Sequence, residues 1–129
     1  MAQARTAPLA GIGGCLAVLV ALAYPYLAVD GPVGAYYGSG LVNPLVAGLL
    51  AVVALIVFAA GRERRTEPDF AAGVTLAAGL FVALIVFLWA VTVRIDVVEI
   101  SPLHRWVTLA VSMAIPVAGA WYARSLRLF

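Results

Sequence analysis

Asp96, Glu99 and His104 are the side chains whose types could do chemistry together, because two carboxylates and an imidazole can share a divalent ion. Their spacing matches no recognised ligand pattern. Read with Asp30, Arg94 and Arg105, they form a set of solvated outer charges. Arg94 or Arg105 would pair locally with a carboxylate, an exposed interaction worth roughly 0–1 kcal/mol. Ser39 and Ser101 lack a partnered base and His104 stands alone, so no catalytic triad can be assembled. The single cysteine, Cys15, excludes an internal disulfide and any cysteine-only redox pair or metal cluster. The residues therefore point to no catalytic, cofactor-binding or metal-binding site, and the expectation is a protein that is not an enzyme.

The elements that must carry these residues are apolar. A hydrophobic fraction of 65% with 11% charged residues is far from the globular norm of roughly half apolar and a quarter charged. So small a soluble domain could not hide that surface, so the bilayer is the solvent this chain suits. The formal charge of +2 comes from too few charges to imply nucleic acid. The expected fold is an all-α membrane protein. It is a four-transmembrane-helix bundle forming one integral membrane domain over residues 1–129, with spans at about 8–28, 42–60, 70–91 and 102–123.

Local signals place the ends of these spans. Thr6 to Val29 is free of charge, and Tyr24-Pro25-Tyr26 closes the first span at the outer interface. Ile12-Gly13-Gly14-Cys15 loosely resembles a lipobox. The apolar run continues past it to Val29, however, so Cys15 reads as a small buried thiol in an uncleaved span. Tyr36 and Tyr37 in the first loop are expected against the membrane surface. Asn43-Pro44 reads as a cap followed by a first helical proline, and Gly61 as the C′ residue of the second span. Thr66-Glu67-Pro68-Asp69 opens the third span with Thr66 as cap, and Trp89 anchors its outer end. Arg94–Ile100 could be strand or helix. Ser101-Pro102 opens the fourth span, and Trp121 and Tyr122 mark its inner end.

No Asp, Glu, Lys, Arg or His lies at membrane depth; His104 and Arg105 fall in the first turns of the fourth span. Ion-coupled pumps and charged-substrate carriers usually need an ionisable group at depth. Small multidrug exporters match in size and span count but carry a glutamate in their first span, which this chain lacks. The interior polar groups are Cys15, Thr75, Thr108 and Ser112. Pro116 leaves the Ser112 carbonyl without its helical donor, so the fourth span is expected to bend there. Small residues recur every fourth position in each span, as in Gly13, Ala17 and Ala21, or Thr75, Gly79 and Ala83, which lets helices approach closely within or between chains. Ala47-Gly48…Phe58 is echoed by Ala78-Gly79…Phe87. The spacers differ, so this reads as coincidence and not as an inverted repeat.

Arginine placement orients the bundle. Arg5, Arg62, Arg64, Arg65, Arg124 and Arg127 share one side of four crossings, against Arg94 and Arg105 on the other. Arginine near span ends marks the cytoplasmic side, so the expected location is the cell membrane with both termini cytoplasmic. Tyr36 to Gly48, with Phe58-Ala59-Ala60-Gly61-Arg62-Glu63, resembles a family of small four-span membrane proteins of unknown function from halophilic archaea; the absence of lysine suits such GC-rich genomes. That resemblance implies no activity and no site residue. The expected partners are the lipid bilayer and another membrane protein or a second copy, with no cofactor and no nucleic acid. The expected role is a non-catalytic accessory or structural subunit; the alternative is an oligomeric carrier or channel for a small neutral or lipophilic solute.

Overall fold

A computed structural model of the chain describes residues 2–28, 37–38, 42–92 and 103–128. Five helices run through them: α1 (Ala2–Ala28), α2 (Leu45–Arg62), α3 (Pro68–Thr92), α4 (Leu103–Ser112) and α5 (Ala114–Ser125). The last two join at Met113 into one stretch, Leu103–Ser125, so four helical stretches are long and apolar enough to cross a membrane. The shortest, α2, has 18 residues, about 27 Å at 1.5 Å per residue, close to a hydrocarbon core of about 30 Å. Arg94–Ile100 lies outside the described residues, as does the start of the fourth span at Pro102.

Local chemistry sets the helix ends. Pro44 takes the cap position of α2 expected of Asn43, since its carbonyl accepts from Gly48 at 3.1 Å, while the Asn43 side-chain oxygen accepts from the Leu45 N–H at 3.0 Å just before the helix. Gly61 is not the C′ residue but the second-last residue of α2. The chain leaves the helix at Arg64, with φ 58°. There the Arg65 N–H donates to the Ala60 carbonyl at 2.8 Å and the Arg64 N–H to Gly61 at 3.2 Å, a Schellman turn with arginine in the left-handed position. Arg127, φ 61°, closes α5 in the same way. At the start of α3, Glu67 takes the cap position expected of Thr66, because its carbonyl accepts the first helical bond from Ala71 at 2.9 Å.

The spans form a ring in which α1 and α3 each pack against α2 on one side and against α4 and α5 on the other. Many small residues face inward and many large apolar ones outward. Ala47, Ala51 and Ala54 of α2 are fully buried, whereas Val20, Leu49, Phe81 and Val117 are more than half exposed. That inside-out arrangement suits lipid, where close helix approach rather than expulsion of apolar side chains from water drives packing. The backbones of α3 and α5 approach closely. A Cβ on Gly79 would lie 2.6 Å from the Pro116 nitrogen, and one on Gly119 would lie 2.8 Å from the Leu76 Cα. The echoed α2 and α3 segments do not occupy matching environments: Phe58 is fully buried and Phe87 is 47% exposed.

Regular hydrogen bonding in the fourth span is interrupted at Met113, three residues before Pro116, while the backbone there stays helical at φ −66° and ψ −20°. Proline at 116 cannot donate to the Ser112 carbonyl, whereas the Met113 and Val117 N–H groups keep their helical bonds to Leu109 and Met113 at 3.2 Å each.

Candidate functional site

The site begins with a backbone defect. Pro25 lies inside α1 and has no N–H, so the Ala21 carbonyl four residues earlier loses its helical donor. In lipid that vacancy must be filled from elsewhere. His104, in the first turn of α4, fills it: its Nε2 lies 2.7 Å from the Ala21 carbonyl oxygen. A carbonyl oxygen only accepts, so Nε2 carries the proton in this contact. Thr108, one turn further along α4, donates its hydroxyl to the His104 carbonyl at 2.8 Å. The next carbonyl of α1, Leu22, accepts from the Tyr37 hydroxyl. Two groups far apart in sequence thus satisfy α1 where proline loosens it.

Aromatic rings enclose this contact. Tyr24 stacks on His104 at 5.9 Å between centroids, Trp89 meets the imidazole edge-on at 6.1 Å, and Tyr37 packs against Trp89 at 5.5 Å. Arg105 turns the other way. Its guanidinium donates to the Ala90 carbonyl at 3.2 Å in the last turn of α3, and it lies 5.0 Å from the Trp106 ring centre.

Three sequence expectations change here. His104 is not a solvated outer charge: it is 8% exposed and directed into the bundle. Tyr37 and Trp89 are fully buried and pack in the core, not against the membrane surface. Tyr24 and Tyr26, each about half exposed, are left with the interfacial position. Asp96 and Glu99, the other members of the weighed metal set, lie outside the described residues, as does Arg94.

Beside His104 a groove of about 530 Å³ runs between α1 and α4. Its walls are Ala17, Val20 and Ala21 on one side and Leu103, Val107 and Val111 on the other, with Tyr24 and His104 at its outer end. A smaller hollow of about 310 Å³ separates α1 from α2. At the opposite end of the bundle a cavity of about 70 Å³ is lined by Arg5, Gly61, Arg62, Arg64, Pro68, Tyr122 and Leu126.

The interior polar residues do not line these cavities. Thr75 donates to the Ala71 carbonyl at 2.8 Å and Ser112 to Leu109 at 2.7 Å, so like Thr108 each hydroxyl proton is held by its own helix. Cys15 is a buried free thiol, as its place in the first span implies.

Residues 1–127 match a family of unknown function, DUF7548. The chain belongs to that family. No curated protein and no solved structure matches it.

In this DUF7548 chain, several residues that the sequence signals mark sit in environments other than those expected. Pro25 announces an orphaned carbonyl. Its donor lies 83 residues away, beyond the reach of any local pattern. The pocket at the arginine-rich end was missed as a site. The arginines there read as an orientation signal and Tyr122 as an interfacial ring, whereas Tyr122 is 1% exposed.

Proposed function

We propose that this DUF7548 chain is a non-catalytic accessory or structural subunit of a membrane assembly, packing against another membrane protein or a second copy of itself. The interior carries this reading. Thr75, Thr108 and Ser112 hold their protons on their own helices, and Gly79 and Gly119 close α3 onto α5. A carrier for a polar solute needs interior groups free to exchange partners, and these are committed to the fold. The groove between α1 and α4 supports the same reading from outside. It is apolar along its length, and Ala17 and Ala21 on its α1 wall allow close approach of another helix.

A second reading is an oligomeric carrier or channel for a small neutral or lipophilic solute. The same groove favours it, since a neighbouring copy laid across its mouth would enclose about 530 Å³. The arginine distribution supports a bundle with both termini cytoplasmic, and the wholly arginine basic set supports a halophilic archaeal source.

Solubilising the native membrane in a mild detergent and identifying co-purifying proteins by mass spectrometry separates the readings. A subunit is recovered with a stoichiometric membrane partner or as a defined oligomer. A closed ring of this chain alone, which takes up a lipophilic dye when reconstituted, would move the assignment to the carrier. Recovery of a lone monomer would sink the subunit reading.

A further inference from the structure

We infer that the small pocket at the arginine-rich end of the bundle binds a phosphate group. Two independent features meet there. The first is charge from two helices: Arg5 enters from α1, Arg62 from the end of α2, and Arg64 from the turn that follows. Arg62 is partly committed, donating through Nε to the Arg5 carbonyl at 3.1 Å and through Nη1 to Glu63 at 3.2 Å. Those bonds tie α1 to α2 and hold the pocket wall. The side chains of Arg5 and Arg64 are exposed and make no ion pair among the described residues.

The second feature is Tyr122. Its side chain is 1% exposed, yet its hydroxyl has no hydrogen-bond partner among the described residues and borders the pocket. The hydroxyl itself opens onto the pocket, where it is available to donate to a bound oxygen. Gly61 makes room for it: a Cβ there would lie 2.7 Å from the Tyr122 oxygen. Arg64 and Asp69 both lie within electrostatic reach of that hydroxyl. Asp69 opposes an anion and Glu63 pairs with Arg62, but the guanidinium groups of Arg5 and Arg64 and the N-terminal end of α3, whose first residue Pro68 forms one wall, leave the pocket positive.

A volume of about 70 Å³ admits a small oxyanion and no larger organic ligand. Guanidinium groups pair with phosphate oxygens through charge-assisted bonds, and a tyrosine hydroxyl donates one more. The phosphate could belong to an anionic lipid headgroup at the membrane surface or be free in solution. The inference does not depend on the subunit reading.

The test uses the full chain in detergent, with bound lipid counted by native mass spectrometry. The probes are dioleoyl-phosphatidylglycerol, dioleoyl-phosphatidylcholine and inorganic phosphate. Phosphatidylglycerol should occupy one site in preference to phosphatidylcholine. Tyr122→Phe and Arg64→Gln should each weaken that binding by about tenfold, the worth of one charge-assisted bond. Arg127→Gln, at the same end but outside the pocket, should leave it unchanged. If millimolar phosphate displaces the lipid with the same dependence on Tyr122 and Arg64, free phosphate is a natural occupant. Arg5→Gln substitutes for Arg64→Gln if the latter loses its helical circular dichroism. Equal binding by wild type and pocket variants, an equal loss in Arg127→Gln, or binding of neither probe overturns the inference.

Discussion

His104 is a donor held in place by a proline. The Ala21 carbonyl loses its own helical partner because Pro25 has no N–H, and the imidazole Nε2 replaces it at 2.7 Å. Replacing the ring while keeping its bulk isolates that bond. His104→Phe should lower the unfolding free energy in detergent by about 1–3 kcal/mol, since it leaves a buried carbonyl without a donor. Pro25→Ala restores a backbone N–H that can reach Ala21. In that background the same His104→Phe change should cost at least ~1 kcal/mol less, a coupling that a double-mutant cycle of thermal unfolding measures. Equal costs in both backgrounds would show that the imidazole acts through packing alone. Half of this arrangement is legible in sequence, because proline inside a helix always orphans a carbonyl. The identity of the replacement donor is not, because it depends on which face α4 turns toward α1.

At the scale of the element, glycine positions separate contact faces from lipid faces. Gly79 and Gly119 are touched by the backbone of the opposing helix, whereas nothing lies within 4 Å of a Cβ built on Gly13 or Gly73. Gly79→Ala must push α3 from α5 and should destabilise the bundle by about 1–3 kcal/mol. Gly13→Ala meets open space and gains helix propensity, so it should be neutral or stabilising by up to about 1 kcal/mol. Thermal midpoints of the two variants in the same detergent check the contrast, and a loss at Gly13 equal to that at Gly79 would place a partner on the open face of α1. The four-residue spacing of small residues marks both kinds of face alike. An alanine-rich helix has small residues all round, and a neighbour selects which of them become contacts. The turns show the same division. Gly61 has the residue type of a C′ position, yet tertiary packing against Ala71 and Tyr122 claims it for the helix and passes the left-handed turn to Arg64.

For the molecule as a whole, charge and packing do separate work. The described arginines lie at the ends of the bundle, and the unequal distribution of arginine along the sequence favours the proposed orientation with residues 62–65 on the cytoplasmic side. A cysteine placed at Ser39 should react with a membrane-impermeant reagent on intact cells, and one at Thr66 only after the membrane is opened. Cys15 is buried and should not contribute to the signal. The reverse pattern would invert the bundle. What the amino-acid sequence determined by itself was the presence of four long apolar helices, the scarcity of charge along them and the interrupted hydrogen bonding before Pro116. These follow from hydrophobic length, from the cost of charge in lipid and from a missing N–H, all properties of the local chain. Tertiary structure alone decided that His104, Tyr37 and Trp89 turn inward, that α3 and α5 touch through two glycines, and that Tyr122 meets the arginines around a small cavity. Each of those depends on the rotation of one helix against another, and residues far apart in the chain set that rotation jointly.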